Sequence, residues 1–300
     1  MTRVILLCLL AVSFICNVSS APLSTSPNPA VTVHNALLKR AEPGTGDDDF
    51  PDTEPHPNKL DQVETAFNDA FELAAYVLNS IDDDIDIFPH YFNGGDRAGV
   101  KNVFLAIFGT TSIPENPSTG NDLLANIHVQ RKDTEGQCKN GRTLAYMHDG
   151  EIKKPTIVLC DNAFKKKAVT ALKGADPQKD EDKKWYASCE PLTKNGHVSY
   201  LMNTLGATLL HEYLHFDGLV QSVFGAPIID QDNPKGEPIG YGPVQVYDKL
   251  SKDLAPFNAD SYTYYALHNL WHVLCQKDFA APRAGIDDAD PDCGKQVCSS

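Results

Sequence analysis

Leu205-Gly206-Ala207-Thr208-Leu209-Leu210-His211-Glu212-Tyr213-Leu214-His215 is the stretch from which the rest of the chain is read. Its apolar residues recur at helical spacing, and the pattern around it predicts one helix from Tyr200 to Val220. Positions four apart share a helix face, so the imidazoles of His211 and His215 can aim at one metal ion. Borderline-soft Zn2+ accepts two histidine nitrogens and leaves room for a third protein ligand and a water. Glu212, beside the first histidine, can reach that water as a general base and later pass the proton to a leaving amine. With 10 His and 11 Glu in 300 residues, chance would give this pattern only about 0.01 times. That rarity favours a metal site over a helix with two structurally satisfied histidines.

At the amino end, Arg3 precedes an apolar run from Val4 to Cys16. The run is shorter than the roughly 20 residues that a membrane-spanning helix needs. Ser19, Ser20 and Ala21 follow it as a signal-peptidase site would, with residues 1–20 as the signal and cleavage after Ser20 or Ala21. The dibasic pair Lys39-Arg40 predicts removal of residues 21–40 as a propeptide. The expected product is secreted to the extracellular space and keeps 260 residues. Losing Arg3, Lys39 and Arg40 moves its formal charge from −14 to −17. Such a surface repels phosphate, so nucleic acid is not an expected partner. The 42% apolar content excludes wholesale disorder. No later segment is long and apolar enough to span a bilayer, so no membrane association is expected after signal removal.

Residues 41–60 hold four prolines and Asp47-Asp48-Asp49, the composition of a flexible acidic lead-in. From Asp61, Val63, Phe67 and Phe71 begin a helix that ends near Ile81, and residues 98–108 predict another. Thr143–Met147 and Thr156–Cys160 read as strands about the turn candidate Asp149-Gly150, and Ala259–Cys275 as a late helix. The fold class is α+β, mostly helical with a small sheet, with one domain over 61–279 and an irregular Cys-containing tail over 280–300. A monomer is expected. Six cysteines remain after processing, which in an exported chain predicts three disulfides. The expected pairs are Cys138–Cys160, Cys189–Cys275 and Cys293–Cys298, the first and last because their loops are short.

Other signals lead to blander readings. Thr156–Cys160 fits a substrate-pairing edge strand but better fits a buried structural strand. His268 and His272 are also four apart, but no Glu lies between them and their neighbours are apolar, so a structural or surface role is expected. Lys165-Lys166-Lys167 reads as a solvated helix face on an acidic protein. No Gly-x-Ser-x-Gly elbow and no phosphate-cradling loop occurs, so serine hydrolase and nucleotide chemistry have no support.

The third ligand is sought among acids, because Gly218 stands three residues past His215 and the next His is His268. Asp217, Asp230, Asp232, Glu237, Asp248 and Asp260 are the candidates. Asp217, two residues after His215, faces nearly the opposite side of a helix. The combination of His211-Glu212-Tyr213-Leu214-His215, Gly240-Tyr241-Gly242 and Asn258-Ala259-Asp260-Ser261-Tyr262 resembles the aspzincin family. Its members include the deuterolysins and the fungal lysine-specific metallo-endopeptidases. The likeness spans about the last third of the mature chain.

The resemblance implies a zincin-like fold holding one Zn2+, hydrolysis of peptide bonds in a peptide or protein substrate, and an Asp as third ligand. It implies also that Tyr241 donates a hydrogen bond to the oxyanion. In the family that Asp lies three residues before the Tyr, a position filled here by Pro238, and Ile228–Gly236 reads as a local insertion. Asp230 is the first choice because the apolar pair before it can anchor it, with Asp232 second and Glu237 third. In the lysine-specific members, the Asp of Asn-Ala-Asp and an acid one turn later line the pocket for the substrate lysine. These positions are Asp260 and Thr263 here, so a lysine preference would rest on one acid. Asp260 fits equally well as a helix N-terminal residue favoured by the macrodipole. The irregular third-ligand region motivates an alternative, a catalytically inactive secreted protein that binds zinc or contacts a host or cell wall. Glu212 argues against it, because a pure metal binder has no use for the base.

Overall fold

The computed structural model describes residues 43–45, 59–113, 120–148, 150, 153–174, 196–232, 236 and 239–282, all within one compact unit. The predicted signal and propeptide with Lys39-Arg40, together with Cys189, Cys293 and Cys298, lie outside these residues. Helix α1 (Lys59–Ser80) buries Val63, Phe67, Ala70, Phe71, Ala74 and Val77, a stripe at three- and four-residue spacing. The short helix α2 (Phe88–Tyr91) leads into α3 (Arg97–Phe108), which closes on Gly109 in the left-handed conformation. Among the described residues no helix is long and apolar enough to cross a membrane.

Strands β1 (His128–Gln130), β2 (Ala145–His148) and β3 (Thr156–Leu159) form one sheet in the order β1-β3-β2. β1 runs parallel to β3, with Val129 opposite Ile157, and β2 runs antiparallel to it, with Met147 opposite Ile157. β1 was not read in the sequence. Its arrival puts β3 in the centre, where Ile157, Val158 and Leu159 are buried, and leaves β2 as the edge. The structural reading of Thr156–Cys160 is therefore the right one. The predicted bond Cys138–Cys160 is present, with Cα atoms 5.3 Å apart. Cys275 is also disulfide-bonded. Within the stretch read as a lead-in, Gly44 is docked on β1 by hydrogen bonds to Ile127 (2.8 Å) and from Val129 (2.9 Å).

After the short helix α4 (Val169–Lys173), the helix expected over Tyr200–Val220 is three pieces. A 3-10 turn (Tyr200–Met202) precedes α5 (Leu205–Leu214), which is followed by α6 (Asp217–Phe224). Thr204 starts α5 because its hydroxyl accepts the Ala207 N–H at 3.0 Å. Phe216 is extended (ψ 99°) and ends it, and the Asp217 N–H turns to the Gly150 carbonyl, 3.2 Å away. Apolar periodicity runs through both breaks, so it could not reveal them.

α5 packs against both α1 and the last helix, α7 (Ala259–Cys275), which also touch each other, while β2 lies against it from the sheet side. The α1–α5 crossing is close. A Cβ on Gly206 would stand 2.3 Å from Asp69 Cβ, so only glycine fits. Asp69 is buried at that crossing, and its carboxylate accepts the Val169 N–H at 2.7 Å, capping α4. Burial raises its pKa to about 6, with Glu72 adding and the Val169 and Thr170 amides opposing. The folded pKa lies above the unfolded one, so ionisation costs stability above pH ~6, and that cost is relieved as pH falls toward 4. Asp69→Asn keeps an oxygen for the cap and cannot ionise. On acidification from pH 7.5 to 4.5, wild type is expected to gain on the order of 2–3 kcal/mol relative to this variant, read by denaturant melts. Parallel curves for the two proteins would contradict it.

Candidate metal centre

The centre is assembled from α5, the segment after α6, and the amino end of α7. His211 lies in the last turn of α5 and His215 is its C-cap. Their Nε2 atoms are 3.2 Å apart. Asp230 follows Ile228-Ile229, as the anchoring argument requires. Ile229 is tied to the start of α7 by its own N–H to Phe257 O, just before the helix, and by the N–H of Ala259, its first residue, to the Ile229 carbonyl, both 3.0 Å. The Asp230 carboxylate comes within 3.3 Å of His211 Nε2 through one oxygen and of His215 Nε2 through the other.

These separations are compatible with a metal ion between the three side chains. Ligands bonded to Zn2+ at about 2.0–2.1 Å in a tetrahedron stand about 3.3 Å from one another. Among the described residues, His211, His215 and Asp230 are the group of His, Cys, Asp and Glu side chains that could hold a metal ion. Asp230 Oδ1 is buried without an aligned hydrogen bond, although His211 Nε2 is close to it. The donor set therefore fits a borderline metal. Of the other candidates, Asp232 is exposed and outside the group, and Glu237 lies outside the described residues.

Each ligand is held from behind. His215 Nδ1 faces the Ile228 carbonyl at 3.1 Å, and His211 Nδ1 faces Asp260 Oδ1 at 2.7 Å. Both contacts place the Nδ1 proton outward and turn Nε2 toward the metal position. Asp260 and Thr263, the two positions expected at a lysine pocket, both border the cleft. Asp260 Oδ1 also serves His211, and its Oδ2 accepts the Gly242 N–H at 2.6 Å. Thr263 is buried and donates its hydroxyl to Ala259 O.

Asn258, buried completely, is the residue whose task the sequence did not disclose. Its Oδ1 accepts the Gln231 N–H at 3.1 Å, and its Nδ2 donates to Gly240 O at 3.0 Å. One side chain therefore clasps the chain just after Asp230 and just before Tyr241. Tyr241 O–H donates to Asp230 Oδ2 at 2.7 Å, across eleven positions of sequence. Gly242 has φ 76°, and a Cβ there would meet the Tyr200 hydroxyl, so the Tyr-Gly pair is fixed by space as well as by conformation.

The electrostatics follow from burial among charges. Burial alone would lower the His211 pKa, but the Asp230 and Asp260 carboxylates outweigh it and raise it well above the usual value. Burial is likewise outweighed at His215, raised by Asp230, and at Asp230, held well below its usual value by the two imidazoles. A metal must displace these protons, so its binding weakens as pH falls. Glu212 is buried, with Oε2 unpaired, and burial raises its pKa. Burial and Asp230 also raise Tyr241, which stays a proton donor. Glu212, both histidines, Asp230 and Tyr241 share a cleft of about 720 Å³ whose other wall is edge strand β2.

In the second histidine pair His268 is structural, and His272 is a surface residue whose Nδ1 lies 3.2 Å from Asp278. His268 is buried against the Tyr91 hydroxyl, 3.3 Å from Nδ1, and burial pushes its pKa down to about 3. His268 and His272 are outside the metal-compatible group.

Two substitutions test the centre. Asp230→Ala is expected to lower zinc affinity by several orders of magnitude, and Asp260→Asn by about 10–100-fold. Competition with a chromogenic chelator reads both, and wild-type affinity in Asp230→Ala would remove Asp230 from the ligand set. The sequence matches no protein-family model, and no curated protein matches it.

Proposed function

We propose that the chain is a secreted zinc endopeptidase with a zincin-like fold, similar in its centre to the aspzincins. The observation that carries this reading is the convergence of His211 Nε2, His215 Nε2 and the Asp230 carboxylate, at contacts of 3.2–3.3 Å, with a buried Glu212 beside them whose Oε2 is unpaired. Bound zinc would supply a water acidified to near neutrality and polarise the substrate carbonyl. Glu212 takes the proton of the attacking water at its free Oε2 and returns it to the leaving amine. A raised pKa suits that shuttling, because the group must both accept and give.

Tyr241 stands half-exposed at the cleft, and its O–H is turned to Asp230. From there it can donate to the oxyanion that develops beside the ligands. The peptide lies extended along β2, whose outer edge has no strand partner among the described residues and can pair backbone to backbone. Asp260 keeps His211 aligned while this happens.

Zinc stoichiometry combined with cleavage of a peptide library tests the reading. One zinc per chain and chelator-sensitive cleavage are expected. Glu212→Gln should keep its zinc and lose about 100–10,000-fold in kcat. Stoichiometric zinc without cleavage of any peptide would favour a zinc-binding protein without catalysis. Cleavage that survives both the chelator and the substitution would overturn the proposal.

A further inference from the structure

We propose that the carboxy ends of β1 and β3 form an oxyanion-binding site, separate from the metal cleft, for sulfate or phosphate esters on an anionic polysaccharide. The chain's charge is segregated. Residues 120–174 carry ten Lys and Arg against six Asp and Glu, a balance of +4, within a chain of −14. The remainder is therefore at −18. An anionic polymer is repelled by most of this molecule and attracted by one region of it.

Within that region the cations converge. Arg131 follows β1, and Asp161 follows β3 and Cys160, so the parallel pairing of the two strands brings both to the same end of the sheet. Lys59 reaches the same place from the start of α1. Asp161 Oδ1 accepts from Lys59 Nζ at 3.0 Å and from Arg131 Nη2 at 2.6 Å. The Phe164 ring lies beneath both, 4.9 Å from the ammonium and 5.9 Å from the guanidinium carbon. Among the described residues two cations share a single carboxylate, which leaves one positive charge over.

The shortage of acceptors is visible in two further ways. Among the described residues Arg131 Nε is buried and has no hydrogen-bond partner. Asp133, the nearest acid along the chain, gives its oxygens to the Gly136, Gln137 and Cys138 amides and to the Tyr146 hydroxyl. Lys132, next to Arg131 in the chain, and Lys165, next to Phe164, are exposed and add positive charge to these two segments. An ester oxyanion supplies what these groups lack, a charged acceptor for a guanidinium fork flanked by ammonium groups.

A polysaccharide fits better than a nucleic acid. Single strands are held by bases stacked on exposed aromatic rings. Among the described residues the one aromatic ring among the exposed large apolar side chains is Tyr241, and it belongs to the cleft. Arg131, the guanidinium of the site, follows β1, the strand at the opposite edge of the sheet from the cleft strand β2.

The test is retention of the full chain on immobilised sulfated dextran and, in parallel, on a phosphorylated mannan. The two arms identify the ester. Wild type is expected to be retained at low salt on at least one, equally with and without chelator, which separates this site from the metal centre. In the Arg131→Gln/Lys165→Gln variant, the slope of log affinity against log salt should fall by about 2, one for each cation removed. Arg131→Lys/Lys165→Arg keeps the charge and should keep retention, which distinguishes weakened binding from failed folding.

No retention, an unchanged slope in the Gln variant, or preferential competition by a single-stranded oligonucleotide would each overturn the proposal. Retention that appears only when Asp47, Asp48 and Asp49 are changed to Asn would overturn it too, by naming the chain's own acidic run as the occupant.

Discussion

The interaction on which the centre depends is the one between Asp260 and the far side of His211. A helix end delivers a carboxylate to an imidazole inside a closed interior, where unpaired charge is expensive and paired charge is strongly oriented. The pairing fixes which nitrogen of His211 faces the cleft. It also fixes the distance between α5 and α7, the two helices that flank the metal position. The second oxygen of Asp260 holds Gly242, so the same carboxylate sets where Tyr241 begins its reach toward Asp230. First the histidine and then the tyrosine are positioned from one side chain.

This arrangement explains why a single charged residue at the start of α7 can serve two elements at once. The amino end of a helix is rich in unsatisfied N–H groups and favours negative charge. Asn258, just outside the helix, takes its hydrogen bonds from neighbouring chain instead, and it thereby stitches the Asp230 and Tyr241 segments to α7. The buried crossing at Gly206 packs α5 closely against α1 as well. α5 is held by two helices, and its two histidines inherit that rigidity.

Much of this was legible beforehand and some of it could not be. The His211–Glu212–His215 spacing is a local property of a helix, so the sequence alone identifies it. Asp230 was reachable through its apolar anchor Ile228-Ile229. The role of Asp260 was not, because it depends on how α5 and α7 pack, and side-chain pairing across distant elements leaves no periodic trace. The breaks at Asn203 and Phe216 were hidden for a related reason. Burial on all sides keeps α5 and its flanks apolar, so the helical pattern continues where the backbone does not. β1 was missed because three residues, His128, Val129 and Gln130, are too few to show alternation.

The backbone of Gln231 has a consequence for how this segment can change. Its N–H is taken by Asn258, and its carbonyl receives the N–H groups of both Ile239 and Gly240. The chain that leaves Gln231 and the chain that returns at Ile239 are thus joined at their roots, like the neck of a drawn purse. Closing a flexible span costs only logarithmically more as it lengthens. Residues can accordingly be inserted or removed between those two points while Asp230 and Tyr241 keep their places. In such a protein the spacing of ligand and tyrosine along the chain is free to drift, and only their meeting in space is held constant.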